Sequence, residues 1–317
     1  MDLRQLEAFA AVMSAGSVTG AGQMLGRSQP TITRLIQELE QELGFALFER
    51  SGPKVTPTQK AFLLTAEVES ALQGIRHVQQ RAQSIARNEN SSLRIVATAA
   101  LATGLIPQTL ANLPEALRPQ QLQVHSMLPG PAIEAVLSKT VDLGVVSLPL
   151  EHRGLELHWI AQAPCVAVLP VDSPLADEAV ISMERLAAHT LASISNPFRF
   201  RRRIDKAFEA AGVKPAHIID TNSSLIAIQM ARVGLGIALA DPFTALGVPL
   251  NGVVVRPIEV DIPFFFGLVT PFASPLSDAA RQLVVALEAA CQELMPGVIV
   301  HPANRHDALM QSIYASQ

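Results

Sequence analysis

The feature that most constrains the fold lies in the first 44 positions of the sequence, where apolar residues recur at the spacing of an α-helix. Leu3, Leu6, Phe9 and Met13 recur at intervals of three and four residues, which predicts an amphipathic helix that ends at Gly16. A helix this short must bury its apolar stripe against neighbouring elements, so the segments that follow it decide what kind of module it belongs to.

Two further helices are predicted before residue 45. Ser17 is an N-cap for a short helix, and Ser28 is an N-cap for a longer one that has Pro30 in its first turn. The apolar positions of the longer helix keep helical spacing: Ile32, Leu35, Ile36, Leu39 and Leu43. The tight turn Gly26-Arg27 joins the two helices. Two short helices joined in this way are typical of a helix-turn-helix.

The face of the third helix that lies opposite its apolar stripe is rich in groups that bond bases and phosphates. It holds Pro30, Arg34, Gln37 and Gln41, with Thr31 and Thr33 at its edges. Arg34 can take a guanine or a phosphate, and Gln29 at the helix N-terminus can reach a base or a backbone oxygen. An ordinary solvated helix face would have the same composition, so the helix alone leaves both interpretations open.

A small hairpin is predicted after the three helices, between Arg50 and Thr58, with Ser-Gly-Pro as its turn. Arg50 and Lys54 flank the turn, where two cations can grip the DNA backbone beside a groove. Residues 1–60 hold six basic and six acidic residues. We expect the acids Glu38, Glu40, Glu42 and Glu49 to lie away from the Ser28–Arg34 edge, so that the charge is polarised although its sum is neutral.

The run LRQLEAFAAVMSAGSVTGAGQMLGRSQPTITRLIQELEQELGFALFERSGPKVTPT resembles the DNA-binding signature of LysR-type transcriptional regulators almost position for position. The resemblance implies that the Ser-Gln-Pro-x-x-x-Arg start of the third helix enters the major groove and that the hairpin is a wing. Gln59-Lys60-Ala61 departs from the Glu-Ala-Gly that is usual there. The residues expected to bind double-stranded promoter DNA are Arg27, Ser28, Gln29, Pro30, Thr31, Thr33, Arg34, Gln37, Arg50 and Lys54.

A long helix is predicted from about Thr58 to Ala86, a stretch without proline and with Gly74 as its single glycine. Its apolar residues step by four and three, as in a coiled-coil seam: Leu64, Val68, Ala71, Ile75, Val78, Ala82 and Ile85. Either the seam pairs two copies of the chain or the helix lies on its own domain. The resemblance favours pairing, because such linker helices dimerise throughout the family. We therefore expect a homodimer that assembles further into a homotetramer.

Strands and helices alternate in the remainder of the chain. Leu93–Ala97, Gln121–Met127 and Val141–Leu148 are predicted strands, separated by helical segments, which indicates parallel βαβ units. The chain is expected to leave one sheet near residue 163 and to return near residue 265, which gives two lobes. This resembles the two-lobed, periplasmic-binding-protein-like type 2 effector domain of LysR-type regulators.

The expected fold class is therefore α/β, with an N-terminal winged helix-turn-helix, a long linker helix and the two-lobed effector domain. The expected division of the chain is residues 1–58 for DNA binding, 59–90 for a dimerisation linker and hinge, 91–163 with 265–300 for lobe I, 164–264 for lobe II, and 301–317 for a C-terminal tail.

Ligands of open α/β sheets lie beyond the carboxyl ends of strands, where helices begin. The effector residues predicted from this rule and from the resemblance are Thr98, Ala99, Ala100, Pro129, Gly130, Pro131, Ser195, Asn196, Phe198, Arg199 and Asn222. Family members commonly carry Ser or Thr where this chain has Pro-Gly-Pro. Arg199, Arg201, Arg202 and Arg203 form a basic run beside this edge. Either the run is solvated, or one arginine holds a carboxylate effector.

No catalytic or metal-binding motif is found in the sequence. The histidines include no His-Glu-x-x-His pattern, and no Cys/His cluster has metal-ligand spacing. Gly234-Leu235-Gly236 lacks the third glycine of a nucleotide-binding fingerprint and is predicted to be a helix-to-strand turn. Cys165 and Cys291 lie far apart and are expected to be buried thiols. We therefore expect no enzymatic activity, no cofactor and no metal.

The chain of 317 residues has a formal net charge of −4, so any nucleic-acid contact must be confined to one face. No signal peptide and no membrane span is predicted, and we expect a cytoplasmic protein without membrane contact. The expected function is transcriptional regulation of promoters under the control of a small-molecule effector, with RNA polymerase as a partner that the resemblance implies. An α/β enzyme with an accessory helical domain, or a binding protein whose N-terminal domain only dimerises, are the alternatives.

The whole chain is also similar to the branch of the family that controls opine and amino-acid-derivative catabolism. MLPGPA, VDLGVV and ALADP are among the segments that carry this similarity. It implies an effector that is amino-acid-like or another organic acid.

Overall fold

The computed structural model describes residues 1–51, 54–86, 92–148, 153–195 and 200–314. The chain separates into two compact units, the N-terminal unit Met1–Asn88 and the C-terminal unit Glu89–Gln317. The elements of the N-terminal unit are α1 (Leu3–Ala15), α2 (Val18–Leu25), α3 (Gln29–Leu43), β1 (Phe48–Ser51), β2 (Lys54–Pro57) and α4 (Gln59–Ala86).

Side-chain caps begin the three short helices of the N-terminal unit. The Ser17 hydroxyl accepts a hydrogen bond from the Gly20 N–H at 3.0 Å, and the Ser28 hydroxyl accepts one from the Thr31 N–H at 3.4 Å. Both caps are at the predicted residues. Asp2 caps α1 in a reciprocal arrangement with Gln5, which the sequence analysis did not anticipate. Each helix ends at a left-handed glycine, as Gly16, Gly26 and Gly44 show.

One apolar core holds these elements together. Phe9 and Ile32 are fully buried in it, and the antiparallel hairpin of β1 and β2 closes one end. A carboxylate oxygen of Glu40 accepts hydrogen bonds from the N–H groups of Leu47 and Phe48 at 2.7 and 3.0 Å. This contact attaches the hairpin to α3, since it satisfies two backbone donors at the point where the chain leaves the helix.

The linker helix α4 is continuous, but its apolar seam is divided. Val68 is buried in the core of the N-terminal unit together with Ala61 and Leu72, whereas Val78 is 68% exposed. The first half of the helix therefore stabilises its own unit. Large apolar side chains that stay exposed on the described part of α4 are Phe62, Leu63 and Val78.

The C-terminal unit is built from the remaining elements. In chain order these are β3 (Ser92–Ala97), α5 (Ala99–Gly104), α6 (Ile106–Asn112), β4 (Gln121–Ser126), α7 (Pro129–Leu137), β5 (Leu143–Ser147), β6 (Leu155–Pro164), β7 (Val166–Pro170), α8 (Met183–Ala187), β8 (Thr190–Ile194), α9 (Phe200–Ala210), β9 (His217–Thr221), α10 (Ser224–Arg232), β10 (Ile237–Ala240), α11 (Pro242–Gly247), β11 (Val253–Pro257), β12 (Pro263–Pro271), α12 (Asp278–Leu294), β13 (Ile299–Pro302) and α13 (His306–Tyr314).

These strands form two sheets in the described part of the chain. Sheet I has the order β13-β6-β12-β5-β3-β4 and sheet II the order β11-β7-β10-β8-β9. The chain passes to sheet II after Pro164 and returns to sheet I at Pro263. Strands β3, β4 and β5 are parallel, as predicted, but β12 runs antiparallel to β5 and β6, and β7 runs antiparallel to β10 and β11. The sheets are mixed because these strands arrive from the other sheet rather than through a helical crossover.

Two further expectations differ from the structure. The helical segment predicted between the strands Leu93–Ala97 and Gln121–Met127 is two helices, α5 and α6, because Pro107 lies in the first turn of α6 and has no N–H to continue α5. The expected C-terminal tail contains the end of β13, which pairs with β6, and the helix α13. The sequence patterns did not indicate the strands β6, β11 and β13 or the helices α11 and α13.

Aromatic residues fill the main core of the C-terminal unit. The rings of Phe243 and Phe266 meet edge to face with centroids 4.9 Å apart, and the rings of Trp159 and Phe266 also meet edge to face, at 5.9 Å. Cys165 and Cys291 are buried free thiols, as predicted. Burial raises the pKa of the Cys291 thiol to about 12 and raises the pKa of Cys165 as well, so both stay protonated. No helix in the described residues has the length and apolar character to cross a membrane.

Candidate functional sites

The predicted DNA-binding residues of α3 form one exposed surface at the start of the helix. Ser28, Gln29, Pro30 and Gln37 are exposed, and 72% of the Arg34 side chain is accessible. Their exposure follows from the sequence pattern, because the apolar residues of α3 occupy the opposite face and are buried. A set of polar side chains raised on one helix face in this way can enter a groove of DNA.

Three predicted residues are half-buried instead. Arg27, Thr31 and Thr33 are each partly covered, and the Thr31 hydroxyl lies 2.8 Å from that of Ser28. The hydroxyls of Ser28 and Thr31 therefore also serve the N-cap of α3. Only part of the predicted surface is free for contacts in the described structure.

Acidic residues lie closer to this surface than expected. The Arg34 Nε is 3.5 Å from a carboxylate oxygen of Glu38, and an Arg27 nitrogen is 4.0 Å from Glu7. The expectation that Glu38 lies away from Arg34 is wrong, because the two are one helical turn apart on α3. An exposed pair at this spacing contributes only about 0.3–0.5 kcal/mol, so Arg34 can exchange Glu38 for a phosphate at low cost.

The wing has the predicted hairpin pairing. Arg50 lies opposite Val55, and Ser51 lies opposite Lys54. The side chains of Arg50 and Lys54, which carry the predicted cations, lie outside the described part of the structure.

A cleft of about 380 Å³ in the C-terminal unit is lined by residues from both sheets. Predicted residues that line it are Thr98, Ala99, Ala100, Pro129, Ser195 and Asn222. Gly130 and Pro131 lie in the first turn of α7 but do not line the cleft. Asn196, Phe198 and Arg199 lie outside the described residues. The cleft therefore lies at the strand ends, as predicted, but only part of the predicted set of residues lines it.

Sequence reasoning missed several cleft residues. These are Ser126, Met127, Leu128, Ser147, Leu148, Ile194, Phe200, Asp241, Phe264 and Phe265. Ser223 and Ser224 also line the cleft, in the segment after β9 that the strand-end rule indicates together with Asn222. Asp241 follows the carboxyl end of β10, so the rule that found Thr98 would have found it too. Phe264 and Phe265 lie at the start of β12, and no local sequence signal marks them as cleft residues.

The basic run of α9 is divided between two roles. Arg201 hydrogen-bonds to Asp205 at 2.7 Å and also pairs with Asp220. Arg203 lines the cleft, where its guanidinium lies 4.9 Å above the Phe265 ring and donates to the Pro263 carbonyl at 3.3 Å. Arg203 thus brings a positive charge into the cleft.

Asp241 brings a negative charge to the same cleft. Its carboxylate caps α11 by accepting hydrogen bonds from the Thr244 N–H at 2.8 Å and the Thr244 hydroxyl at 3.1 Å. Burial raises the pKa of this carboxyl, while the hydroxyls of Ser224 and Thr244 and backbone N–H groups act in the opposite direction. The described residues contain no group of three or more His, Cys, Asp or Glu side chains that could hold a metal ion.

Comparison with known proteins assigns both units. The family described as a bacterial regulatory helix-turn-helix protein of the lysR family matches residues 3–61, and the LysR substrate binding domain matches residues 86–292. The chain therefore belongs to the LysR family. It is a DNA-binding transcriptional regulator with an effector-binding domain and not an enzyme, as predicted.

Individual relatives span nearly the whole chain. The chain is 31% identical over 294 residues to the regulatory protein NocR of Agrobacterium fabrum strain C58, covering 90% of this chain and 97% of NocR. It is 33% identical over 264 residues to OccR of Rhizobium meliloti, an octopine catabolism/uptake operon regulatory protein, covering 83% of this chain and 86% of OccR. The latter agrees with the similarity to the opine branch.

Solved structures confirm the predicted fold class. CbnR, a LysR family transcriptional regulator, has a TM-score of 0.75 at 20% identity and covers 92% of this chain and 100% of CbnR. The structure of full-length CbnR complexed with its target DNA has a TM-score of 0.74, also at 20% identity and with the same coverage.

Proposed function

We propose that this regulator reads promoter DNA with the start of α3 and the wing, and that an amino-acid derivative or another small organic acid in the cleft controls it. The observation that carries the proposal is the cleft itself, in which a guanidinium, a carboxylate and several hydroxyls converge within about 380 Å³. Such a volume suits a small polar molecule.

The DNA-binding part of the proposal rests on exposure. Gln29, Arg34 and Gln37 point away from a buried apolar face and include the side-chain types that read base edges. We assign DNA binding to residues 1–58, and the linker and hinge to residues 59–90. The two lobes are then 91–163 with 265–300, and 164–264.

The proposed effector class rests on the guanidinium of Arg203 in the cleft and on the similarity of the chain to a relative. A guanidinium on the cleft wall is matched by a carboxylate, which it can bind with two hydrogen bonds. OccR, which regulates an octopine operon, is similar to this chain over most of its length. Octopine is itself a conjugate of an amino acid, so a related compound is the first candidate.

The proposal also covers the oligomeric state, the protein partner and the cellular location of this regulator. Phe62, Leu63 and Val78 leave apolar surface exposed on α4, and we propose that α4 pairs two copies into a homodimer that assembles into a tetramer. RNA polymerase is the proposed partner at the promoter. A bacterial regulator that binds chromosomal DNA works in the cytoplasm.

A ligand screen with a DNA readout tests the effector assignment. We would measure the melting temperature of the full chain with amino acids, octopine and aromatic acids, and repeat the best hit with Thr98→Val. Thr98 lines the cleft and its hydroxyl is buried there. We expect the hit to stabilise the wild type more than the variant and to change binding to a DNA site selected from random sequence. Equal stabilisation of both proteins would contradict the assignment.

A further inference from the structure

We propose that Ser224 and Asp241 form a subsite for a protonated amine, so that the effector carries an ammonium group in addition to its acid group. The inference rests on the proposed function, because it names the ligand class of the same cleft. It concerns the end of the cleft where β10 meets α11 and α10 begins.

Asp241 is a buried carboxylate that has no cationic partner among the described residues. Its exposed fraction is 0%, and within the described chain no lysine, arginine or histidine lies within the 4.0 Å of a salt bridge. The described groups that influence it are hydroxyl and N–H donors, with no cation among them. Burying an unpaired charge is costly, and this cost is what raises the pKa of the Asp241 carboxyl, so a ligand cation that reaches this end of the cleft would stabilise its ionised form.

Ser224 lies at the same end of the cleft as the Asp241 carboxyl. It is 4% exposed, lines the cleft and lies beside the Asp241 carboxylate. Its Oγ has no hydrogen bond of ordinary geometry among the described residues. A hydroxyl that turns its hydrogen toward a carboxylate presents its lone pairs to the other side. Ser224 is thus the contact residue for an N–H donor, and Asp241 is the positioning residue that orients it and supplies the negative field.

The opposite charge lies elsewhere in the same cleft. Arg203 lines it, and Arg203 and Asp241 are too far apart to form a salt bridge with each other. A ligand with both a carboxylate and an ammonium complements both charges. A dicarboxylate or an aromatic acid complements Arg203 alone and leaves the Asp241 charge unmatched. The cleft therefore favours amino acids and their N-substituted derivatives over simple acids.

The competing explanation is that Asp241 only caps α11. Asp241→Asn separates the two roles, because asparagine caps helices about as well as aspartate but carries no charge. Ser224→Ala removes the contact hydroxyl and leaves the cap in place. Ser223→Ala is the matched control, since Ser223 lines the same cleft but is not among the groups that shift the pKa of Asp241.

Matched ligand pairs give the readout. Calorimetric titration of the full chain would compare L-arginine with 5-guanidinopentanoate, L-glutamate with glutarate, and L-norvaline with pentanoate, because each pair differs only in the α-amine. We expect the wild type to prefer the amine in at least one pair by about tenfold or more. Asp241→Asn and Ser224→Ala should each lose most of that preference, while Ser223→Ala keeps it. Melting temperatures without ligand confirm that the variants are folded.

The outcomes separate the inference from the proposed function. If acids bind as tightly without the amine as with it, or if both Asp241→Asn and Ser224→Ala keep the wild-type preference, the amine subsite is wrong although effector binding stands. If none of these compounds binds the wild type, the inference is wrong; if octopine and aromatic acids also fail to bind, the effector class of the proposed function falls with it. If Asp241→Asn does not fold, the Ser224→Ala result decides.

Discussion

The DNA-binding surface and the effector cleft are built in opposite ways. The surface takes Ser28, Gln29, Pro30 and Arg34 from the N-cap and the first two turns of one helix, and all four are exposed. The cleft collects residues from Thr98 to Phe265, and many of them are buried. Apart from Ser28, which caps α3, residues of the first kind can be changed without disturbing the fold. Residues of the second kind also hold the fold together.

Asp241 shows the second kind most clearly. The same carboxylate lines the cleft, caps α11 and lies within the interior of the C-terminal unit. Function and stability are therefore coupled at the cleft and separable at α3. The three predictions below test that difference.

The largest effect is expected at Gly104, behind the cleft. An ideal Cβ at Gly104 would lie 2.1 Å from the Phe243 carbonyl oxygen, so α5 and α11 touch backbone to backbone there. These two helices follow the cleft residues Thr98 and Asp241. Because a backbone oxygen cannot rotate away, Gly104→Ala should lower the free energy of unfolding by about 3 kcal/mol and weaken effector binding. Chemical denaturation of the full chain measures the first effect.

Gly130→Ala is the control for that measurement. Gly130 is also a helical glycine of the C-terminal unit, but a Cβ there meets nothing within 4 Å. We expect its denaturation midpoint to stay the same or rise slightly. A Gly104→Ala protein as stable as Gly130→Ala would show that the contact between α5 and α11 yields easily and that stability is not coupled to the cleft.

The intermediate effect is expected for Arg34→Ala, and it concerns DNA affinity rather than stability. Loss of its guanidinium should cost about 1–3 kcal/mol of binding, which is about 5- to 150-fold in affinity, while the free energy of unfolding changes by at most about 0.5 kcal/mol. Fluorescence anisotropy on the selected DNA site measures the affinity. Gln41→Ala, exposed two turns further along α3, should bind nearly normally. Normal DNA binding by Arg34→Ala would remove α3 from the interface.

The smallest effect is expected from a change of pH, and it concerns the stability of the C-terminal unit. Burial lowers the pKa of His158 below 6.5, with Glu156 acting in the opposite direction, and its Nε2 lies 2.9 Å from the Thr270 hydroxyl. At pH values between the lowered pKa of folded His158 and 6.5, the unfolded chain binds more protons than the folded chain. The contribution of neutral His158 to stability is therefore present above this pH range and is lost as the pH falls through it.

Replacement of this histidine isolates its contribution. From about pH 7.5 to about pH 5.5, His158→Gln should lose less stability than the wild type. The difference between the two proteins is the relevant quantity, because burial raises the pKa of Asp241 and gives that group the opposite sign. Residues 1–76 contain no histidine, so DNA-binding residues add no histidine titration in this range. Parallel pH profiles for both proteins would contradict the assignment to His158.

The features of the structure that could be predicted are mostly those that depend on residues close together in the sequence. The helices of the N-terminal unit, their Ser17 and Ser28 caps and the exposed face of α3 follow from residues within one or two turns of each other, and the structure contains them. The contact between Glu38 and Arg34 is local too, since the two lie one turn apart on α3, but the distribution of acids over the whole segment does not show it. In the C-terminal unit the strand-end rule located Thr98, Pro129, Ser195 and Asn222 on the cleft.

Other cleft residues could not be predicted because their position depends on distant partners. Arg203 and Arg201 are two residues apart in one basic run, yet one lines the cleft and the other pairs with acids. Which arginine turns inward depends on how α9 packs near β12, and helical periodicity alone does not contain that information. Phe264 and Phe265 reach the cleft only because β12 returns to sheet I from sheet II.

The sequence by itself thus determined the family, the two-lobed α/β class and the helix face that is offered to DNA, since apolar periodicity and N-caps act over a few residues. Only the tertiary structure decided that Val68 is buried in its own unit while Val78 stays exposed, and that Arg203 and Asp241 line one cleft without forming a salt bridge with each other. The reason is physical: a helix face is set by residues one turn apart, whereas a buried charge acquires its neighbours only when strands far apart in sequence meet.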